Sequence, residues 1–290
     1  MTLMHAVAVR AESVLTLGRI SDDPKNHYVQ LKPLLDYLVP RMGDVGIREG
    51  RILMARDLRQ MSNHLRHGRV DWITETPGMA LQLEAIAGAR LLLLTERGGV
   101  REYRSCIIAR RDSGIRTLPD LAGRTIAFEH PASTSAYLVP AVELLMGDLS
   151  LEPMTALGDI PTGDAVGYLF ARSEANIAIW VDKGLIASGV VSNLGWQNPR
   201  SIPEAMQSRL AIIHESEPFP RGLELIRQGL DPQVGERLRQ LLIDASSDPQ
   251  AVDALRAFFN TTAFLPIDAD VERRLQTLRA GMARVRMEVE

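Results

Sequence analysis

Short apolar runs alternate with stretches of helical periodicity along most of this chain. VLTLGRI, Val14 to Ile20, reads as a strand, and Ser21-Asp22-Asp23 ends it. Tyr28, Leu31, Leu35 and Leu38 then recur at helical spacing, which predicts one apolar face and a core position for Tyr28. Arg51 to Ala55 is a short strand. Asp57 with Gln60 makes a capping-box-like start for a helix carrying Leu58, Met61 and Leu65, ended by Gly68. Val70 to Thr74 is again a strand. Thr76-Pro77 opens a helix over 77–87, with threonine as cap and proline where a missing N–H is no loss. Leu91 to Thr95 and Tyr103 to Arg110 are further strands.

A second series follows. Leu118 to Gly123 is a short turn of helix, Thr125 to Glu129 a strand, and a hydroxyl-rich segment then leads into a helix. Ser173 caps a helix through Ile177, Trp180 and Val181, on whose apolar face Trp180 is expected in the core. Ala187 to Val191, Leu210 to His214 and Leu223 to Arg227 are strands, and helices are expected over 232–245, 249–259 and 268–285. Strands alternating with helices predict an α/β protein with parallel sheets. No Pro/Gly/Ser-rich linker divides the chain in sequence. Two lobes arise if the chain crosses twice, and the strand-like segments Tyr103–Arg110 and Leu210–Glu217 are the candidate crossings. Lobe one would then be 12–104 plus 215–290, and lobe two 105–214.

Composition narrows the function. With 290 residues the chain suits two lobes better than one. A net charge of −3 gives no overall basic field for nucleic acid or an anionic membrane. The single cysteine, Cys106, excludes an internal disulfide and reads as a small core residue. No apolar run approaches the roughly 20 residues of a membrane span. No cofactor or metal motif stands out: His64 and His67 lie on a polar face without a carboxylate in register, and the methionines are scattered. MTLMHAVAVRAES has a short apolar piece and small residues near Ala11 but no basic start. Residues 1–11 therefore read either as the remnant of a signal peptide or as a frayed terminus.

The segment HPASTSAYLVP, His130 to Pro140, concentrates the candidate chemistry. In open α/β sheets, ligands sit beyond the carboxyl ends of strands, at helix N-termini. Ser133, Thr134 and Ser135 stand after such a strand, where a helix begins. Free backbone N–H groups and up to three hydroxyls make either a cap or a neutral socket for an oxyanion. Pro140 falls beyond the first turn of a helix starting at Thr134, so a kink or a delayed start is expected. Other strand ends carry polar residues: Arg19-Ile20-Ser21, Thr74-Glu75-Thr76, Glu129-His130 and Ser192-Asn193. A Ser–His hydrolase is not expected, because no GxSxG elbow occurs and residues so close in sequence rarely form a triad.

TLPDLAGRTIAFEHPASTSAYLVP resembles the phosphate/phosphite/phosphonate-binding proteins of ABC importers, which carry a related DLxGK…F…PxSTSGYLxP segment. The resemblance continues through RISDDPKNHYVQLKPLLDYL, HGRVDWITETPGMAL, SNLGW and HESEPFPRGLELIRQGLDP, and covers nearly the whole chain. It implies a two-lobed periplasmic-binding-protein-like fold of type II, with two mixed sheets joined by two crossover strands. It implies a periplasmic or lipid-anchored monomer that hands a small phosphonate-like oxyanion to ABC permease subunits, with no enzymatic step. A sensing module for a signalling partner is the alternative. Ser133, Thr134 and Ser135 would receive the phosphonyl oxygens. Thr76, Ser21, His130, Asn193 and Tyr103 would line the cleft, with Trp196 as a further wall. Two positions depart from the family pattern. Leu58 follows Asp57 where an aromatic is usual, and Glu75 stands where a second aromatic is usual. A carboxylate there repels a dianion, so Glu75 implies an amine, a cation or a protonated oxyanion on the ligand, or else a solvated loop acid.

Overall fold

The computed structural model describes residues 13–289. The expected signal remnant, 1–11, lies outside the described residues. Strands run in chain order as β1 (Val14–Ile20), β2 (Glu49–Ala55), β3 (Trp72–Glu75), β4 (Arg90–Arg97), β5 (Glu102–Tyr103), β6 (Ser105–Arg110) and β7 (Thr125–Phe128). They continue as β8 (Leu151–Pro153), β9 (Val166–Phe170), β10 (Ser188–Ser192), β11 (Leu210–Glu215), β12 (Phe219–Pro220), β13 (Leu223–Ile226) and β14 (Thr261–Leu265). The helices are α1 (Pro24–Leu38), α2 (Leu58–Arg66), α3 (Pro77–Ala87), α4 (Val139–Met146) and α5 (Glu174–Asp182). After them come α6 (Asn193–Trp196), α7 (Glu204–Gln207), α8 (Pro232–Ala245), α9 (Val252–Ala257) and α10 (Ala269–Glu288).

The chain forms two compact units. Unit 1 comprises the residues through Glu75, with Gln82–Gly99 and Gly222–Pro266. Its sheet has the order β14-β4-β13-β3-β1-β2. β1 is parallel to β2 and β3, while β13 is antiparallel to β3 and β4. The apolar face of α1 (Leu31, Leu34, Leu35, Leu38) covers this sheet with Trp72, Phe258 and Phe264, all buried. Tyr28, expected in the core, is 46% exposed, because the buried stripe of α1 starts one turn later at Leu31. Asp71 and Glu224 are among the carboxylates buried in this unit. Asp71 accepts from Thr16 N and Arg227 Nε, both at 2.8 Å. Glu224 accepts from Trp72 Nε1, Thr74 Oγ1 and Thr95 Oγ1 at 2.6 to 2.7 Å. Burial raises the pKa of both groups, Asp71 to about 6.

Unit 2 comprises Thr76–Leu81, Val100–Arg221 and the chain from Ile267 onward. Its sheet has the order β11-β6-β10-β7-β9-β8, parallel from β10 to β8 and antiparallel where β6 joins β10 and β11. β8 and β9 are strands not expected from the sequence: β8 has only three residues and contains Glu152, whereas β9 is the apolar run VGYLF. β6 and β11, near the expected crossings, lie side by side in this sheet. β5 and β12 form a separate ladder, Phe219 opposite Tyr103. The expected lobe one included all of 215–290. In the structure 215–221 and the chain from Ile267 belong to unit 2, as do 76–81 and 100–104. The reason for the C-terminal part is packing: α10 lies along α4, with Gly281 against Val142. Cys106 is buried as expected, and burial pushes its thiol up to about 12.

Candidate functional site

The hydroxyl-rich segment follows β7 in unit 2. It does not enter a regular helix directly. Residues Thr134–Leu138 form a wide turn in which Leu138 N donates to Ser133 O and Val139 N to Thr134 O, each five residues back. α4 begins only at Val139, with Pro140 in its first turn. The expected delayed start is therefore present, and its cause is visible. Pro140 has no N–H for the carbonyls of Ser135 or Ala136. Those carbonyls are satisfied from outside: Ser105 Oγ donates to Ser135 O at 2.6 Å, and Glu129 N donates to Ala136 O at 3.0 Å. Tyr137 pins the turn by packing edge-on against Phe128 and Phe170, with ring centroids 5.2 and 5.1 Å away.

This geometry uses two of the hydroxyls as acceptors. Ser133 Oγ accepts from Ala136 N at 3.1 Å, and Thr134 Oγ1 accepts from Gly78 N at 2.9 Å. A hydroxyl that accepts a backbone N–H still has its own O–H to donate. Gly78, in the first turn of α3, permits the second contact. A Cβ there would stand 2.4 Å from Leu138 Cδ1 and 2.9 Å from Thr134 Oγ1. Thr76 is the expected N-cap of α3, and its Oγ1 is buried without a hydrogen-bond partner among the described residues. Such an orphan is costly unless something pairs with it.

A cavity of about 400 Å³ within unit 2 brings these groups together. Ser133, Thr134, Ser135, Thr76, His130 and Tyr103 all line it. Asn193 does not line it. Its side chain is held by Arg104 N at 2.9 Å, and its neighbours Ser192 and Leu194 face the cavity instead. Trp196 is likewise not among the lining residues. His130 is half exposed, with Nε2 3.7 Å from Glu129 Oε2.

The charged residues Arg221, Glu129 and Glu174 also line the cavity; the sequence marks Glu129 only as a polar strand end and the other two not at all. Arg221 stacks over Tyr103, with Cζ 4.9 Å from the ring centroid, and brings a fixed positive charge. Glu129 sits beside His130. Glu174 accepts from Ser192 N at 2.8 Å and from Ser192 Oγ at 3.2 Å. Burial pushes Glu174 up to about 7; the Ser192 hydrogen bonds oppose the shift and the charge on Glu129 adds to it. Near neutrality its carboxyl is thus often protonated and able to donate. Gly195 makes room for it, since a Cβ there would stand 1.7 Å from Glu174 Oε2. Ser173 as a helix cap was the only sequence signal near Glu174, and a first-turn glutamate is common for helix-dipole reasons alone.

Glu75 and Ser21 belong to unit 1. Glu75 is 2% exposed, so it is not a solvated loop acid. Its Oε1 accepts from Ile20 N at 2.9 Å, and its Oε2 lies 3.5 Å from Arg19 Nη1. Arg19 also donates to Thr74 O at 2.8 Å and stacks on Phe259. The counter-charge for Glu75 therefore comes from the end of β1. Ser21 Oγ is hydrogen-bonded to His27 Nδ1 at 2.6 Å, and its backbone N–H donates to Ala55 O. Among the described residues no cluster of His, Cys, Asp and Glu has the geometry of a metal site.

Comparison with known proteins agrees with this architecture. Residues 18–271 match the family described as ABC transporter, phosphonate, periplasmic substrate-binding protein. XAC2383 from Xanthomonas citri, solved bound to ATP, is 48% identical, over 96% of this chain and 100% of that one, with a TM-score of 0.89. The same protein bound to chloride is 49% identical over the same shares of the two chains, also at 0.89. PhnD1 from Prochlorococcus marinus, solved with methylphosphonate, is 14% identical over 94% of this chain and 99% of that one, at 0.63, which shows the shared fold. Fold class is thereby that of the two-lobed periplasmic binding proteins. Among the described residues no helix is long and apolar enough to cross a membrane. The match over most of the chain, together with a hydroxyl-lined turn at the end of β7, makes this chain a member of the periplasmic substrate-binding proteins of ABC phosphonate transporters.

Proposed function

We propose that this protein captures a phosphorus oxyanion (a phosphonate, phosphite or phosphate-bearing ligand) on the donor set of Ser133, Thr134, Ser135 and Thr76, and presents it to ABC permease subunits in the periplasm. The observation that carries the reading is the wide turn. The hydroxyls of Ser133 and Thr134 accept backbone N–H groups from Ala136 and Gly78, so each keeps its own O–H to donate, and both residues line one cavity. Neutral donors suit a ligand that must also leave. Arg221 supplies one formal positive charge, and a protonated Glu174 supplies a further donor. Tyr103 and His130 form walls. The ATP held by a relative of 48% identity supports a phosphate-bearing ligand for this chain. In this reading, closure of the two units on the bound anion is the signal the permease recognises.

Calorimetry against methylphosphonate, phosphite, phosphate, ATP and sulfate tests it. Binding of one or more phosphorus oxyanions is expected. Ser135→Ala should weaken that binding by roughly tenfold or more, the cost of one lost donor to a charged group. A folded protein that bound none of the phosphorus compounds would end the proposal.

A further inference from the structure

The net charge of −3 conceals a strong local asymmetry. Residues 48–69 contain six arginines, at 48, 51, 56, 59, 66 and 69, against the acids Glu49 and Asp57. This stretch is four units positive, so the remainder of the chain is seven negative. All six arginines are exposed. They are gathered at one place in unit 1, because β2 is the edge strand of the sheet and α2 packs on β1 and β2. α2 turns Met61 and Leu65 inward and its arginines outward.

Few of these charges are spent internally. Arg51 pairs with Glu49 at 3.2 Å and Arg56 with Asp57 at 3.5 Å. Arg48 donates to the carbonyls of Gly43 and Ile47. No carboxylate lies within ion-pair distance of Arg59, Arg66 or Arg69 among the described residues. Arg56, Arg59 and Arg66 surround a depression of about 320 Å³, with Gln60 and Asn63 between them; Asp57 also lines it, but it is paired with Arg56 and accepts from Gln60 N, so Arg59 and Arg66 keep the net charge there positive.

We propose that this edge of unit 1 docks an acidic segment of a partner protein. Charge complementarity sets the sign of the partner. The shape sets its class. A concave site with amides between the guanidinium groups matches discrete carboxylates, which arginine binds in a directed, two-pronged way. A lipid surface is the weaker fit, because none of the exposed large apolar residues falls within 48–69 to enter a bilayer. Arginine on an edge strand also discourages sheet-to-sheet aggregation. That role explains Arg51 on β2, but not Arg59 and Arg66 on a helix.

The test uses the full chain and a fluorescent peptide of alternating Asp and Glu, read by anisotropy. The wild type should bind the peptide at low salt and lose it as salt rises. The double variant Arg59→Gln/Arg66→Gln should bind roughly tenfold more weakly, as expected for two rim charges at an interface. Arg284→Gln, on α10, should match the wild type. Binding of phosphorus oxyanions should be the same in all three proteins, so failure here is separable from failure of the anion site. A thermal melt checks folding, and if the double variant is unfolded the single Arg66→Gln is read in its place. Equal peptide binding by wild type and variant, no binding by the wild type, or binding to phosphatidylglycerol vesicles without competition by the peptide would each overturn the proposal.

Discussion

The hydroxyl of Thr134 accepts the backbone N–H of Gly78 at 2.9 Å, joining the start of α3 to the turn that carries the proposed anion donors. Glycine at position 78 lets the two approach without displacing a neighbour. A Cβ there would meet Leu138 Cδ1 at 2.4 Å. Gly78→Ala should therefore shift the turn, cost about 1–3 kcal/mol of stability in urea unfolding, and weaken oxyanion binding in the same protein. An alanine variant with wild-type stability and affinity would show the contact to be incidental.

Glu174 gives the site a pH dependence. Its carboxyl titrates near 7 when folded, against 4.5 for the ordinary group. Between those values the folded state holds a proton that the unfolded state has lost. Its contribution is thus fully present below pH 4.5 and is lost as pH rises to 7, by up to about 3 kcal/mol. Affinity for an oxyanion should fall over the upper part of that window, as a donor becomes a repelling carboxylate. Glu174→Gln should flatten both profiles relative to the wild type. Parallel profiles for the two proteins would remove Glu174 from the account.

Glu75 is predicted to act first through Arg19. Glu75→Gln keeps an acceptor for Ile20 N but leaves a guanidinium of 12% exposure without its charge partner. Denaturant titration should show a loss of about 1–3 kcal/mol. Replacing both members, Arg19→Met with Glu75→Leu, should cost less than the sum of the single changes, since no buried charge is left alone. Strict additivity would mean the pair is not coupled. The ligand preference of Glu75→Gln, measured in the same preparation, tells whether the residue also selects the ligand.

The buried Glu224 depends on three neutral donors. Thr95→Val removes the one at 2.6 Å. The expected result is a destabilisation of about 1–3 kcal/mol, with Trp72 fluorescence reporting the disturbed core, since Trp72 Nε1 is another of the donors. Unchanged stability would show that Glu224 is held well enough by Trp72 and Thr74.

Helix and strand positions that repeat locally were legible in the sequence. The helices over 77–87 and 232–245 stand where caps, prolines and periodicity put them. Strands such as β1 announced themselves by apolar runs. β8 did not, because a three-residue strand held mainly by its neighbours needs little pattern of its own.

The sequence by itself determined the alternating α/β order, the hydroxyl cluster at the end of β7 and the delay that Pro140 imposes on α4. Each is set by residues only a few positions apart. Tertiary structure alone decided what those groups meet. Gly78 comes to Thr134, Ser105 to Ser135 O, Arg19 to Glu75 and Ser192 to Glu174, all across long stretches of chain. It also assigned α10 to unit 2 and gathered six arginines on one edge. Charge partners and close approaches are properties of the packed chain. A residue such as Glu75 therefore reads as a ligand group or a solvent-exposed acid until its distant neighbour is in place.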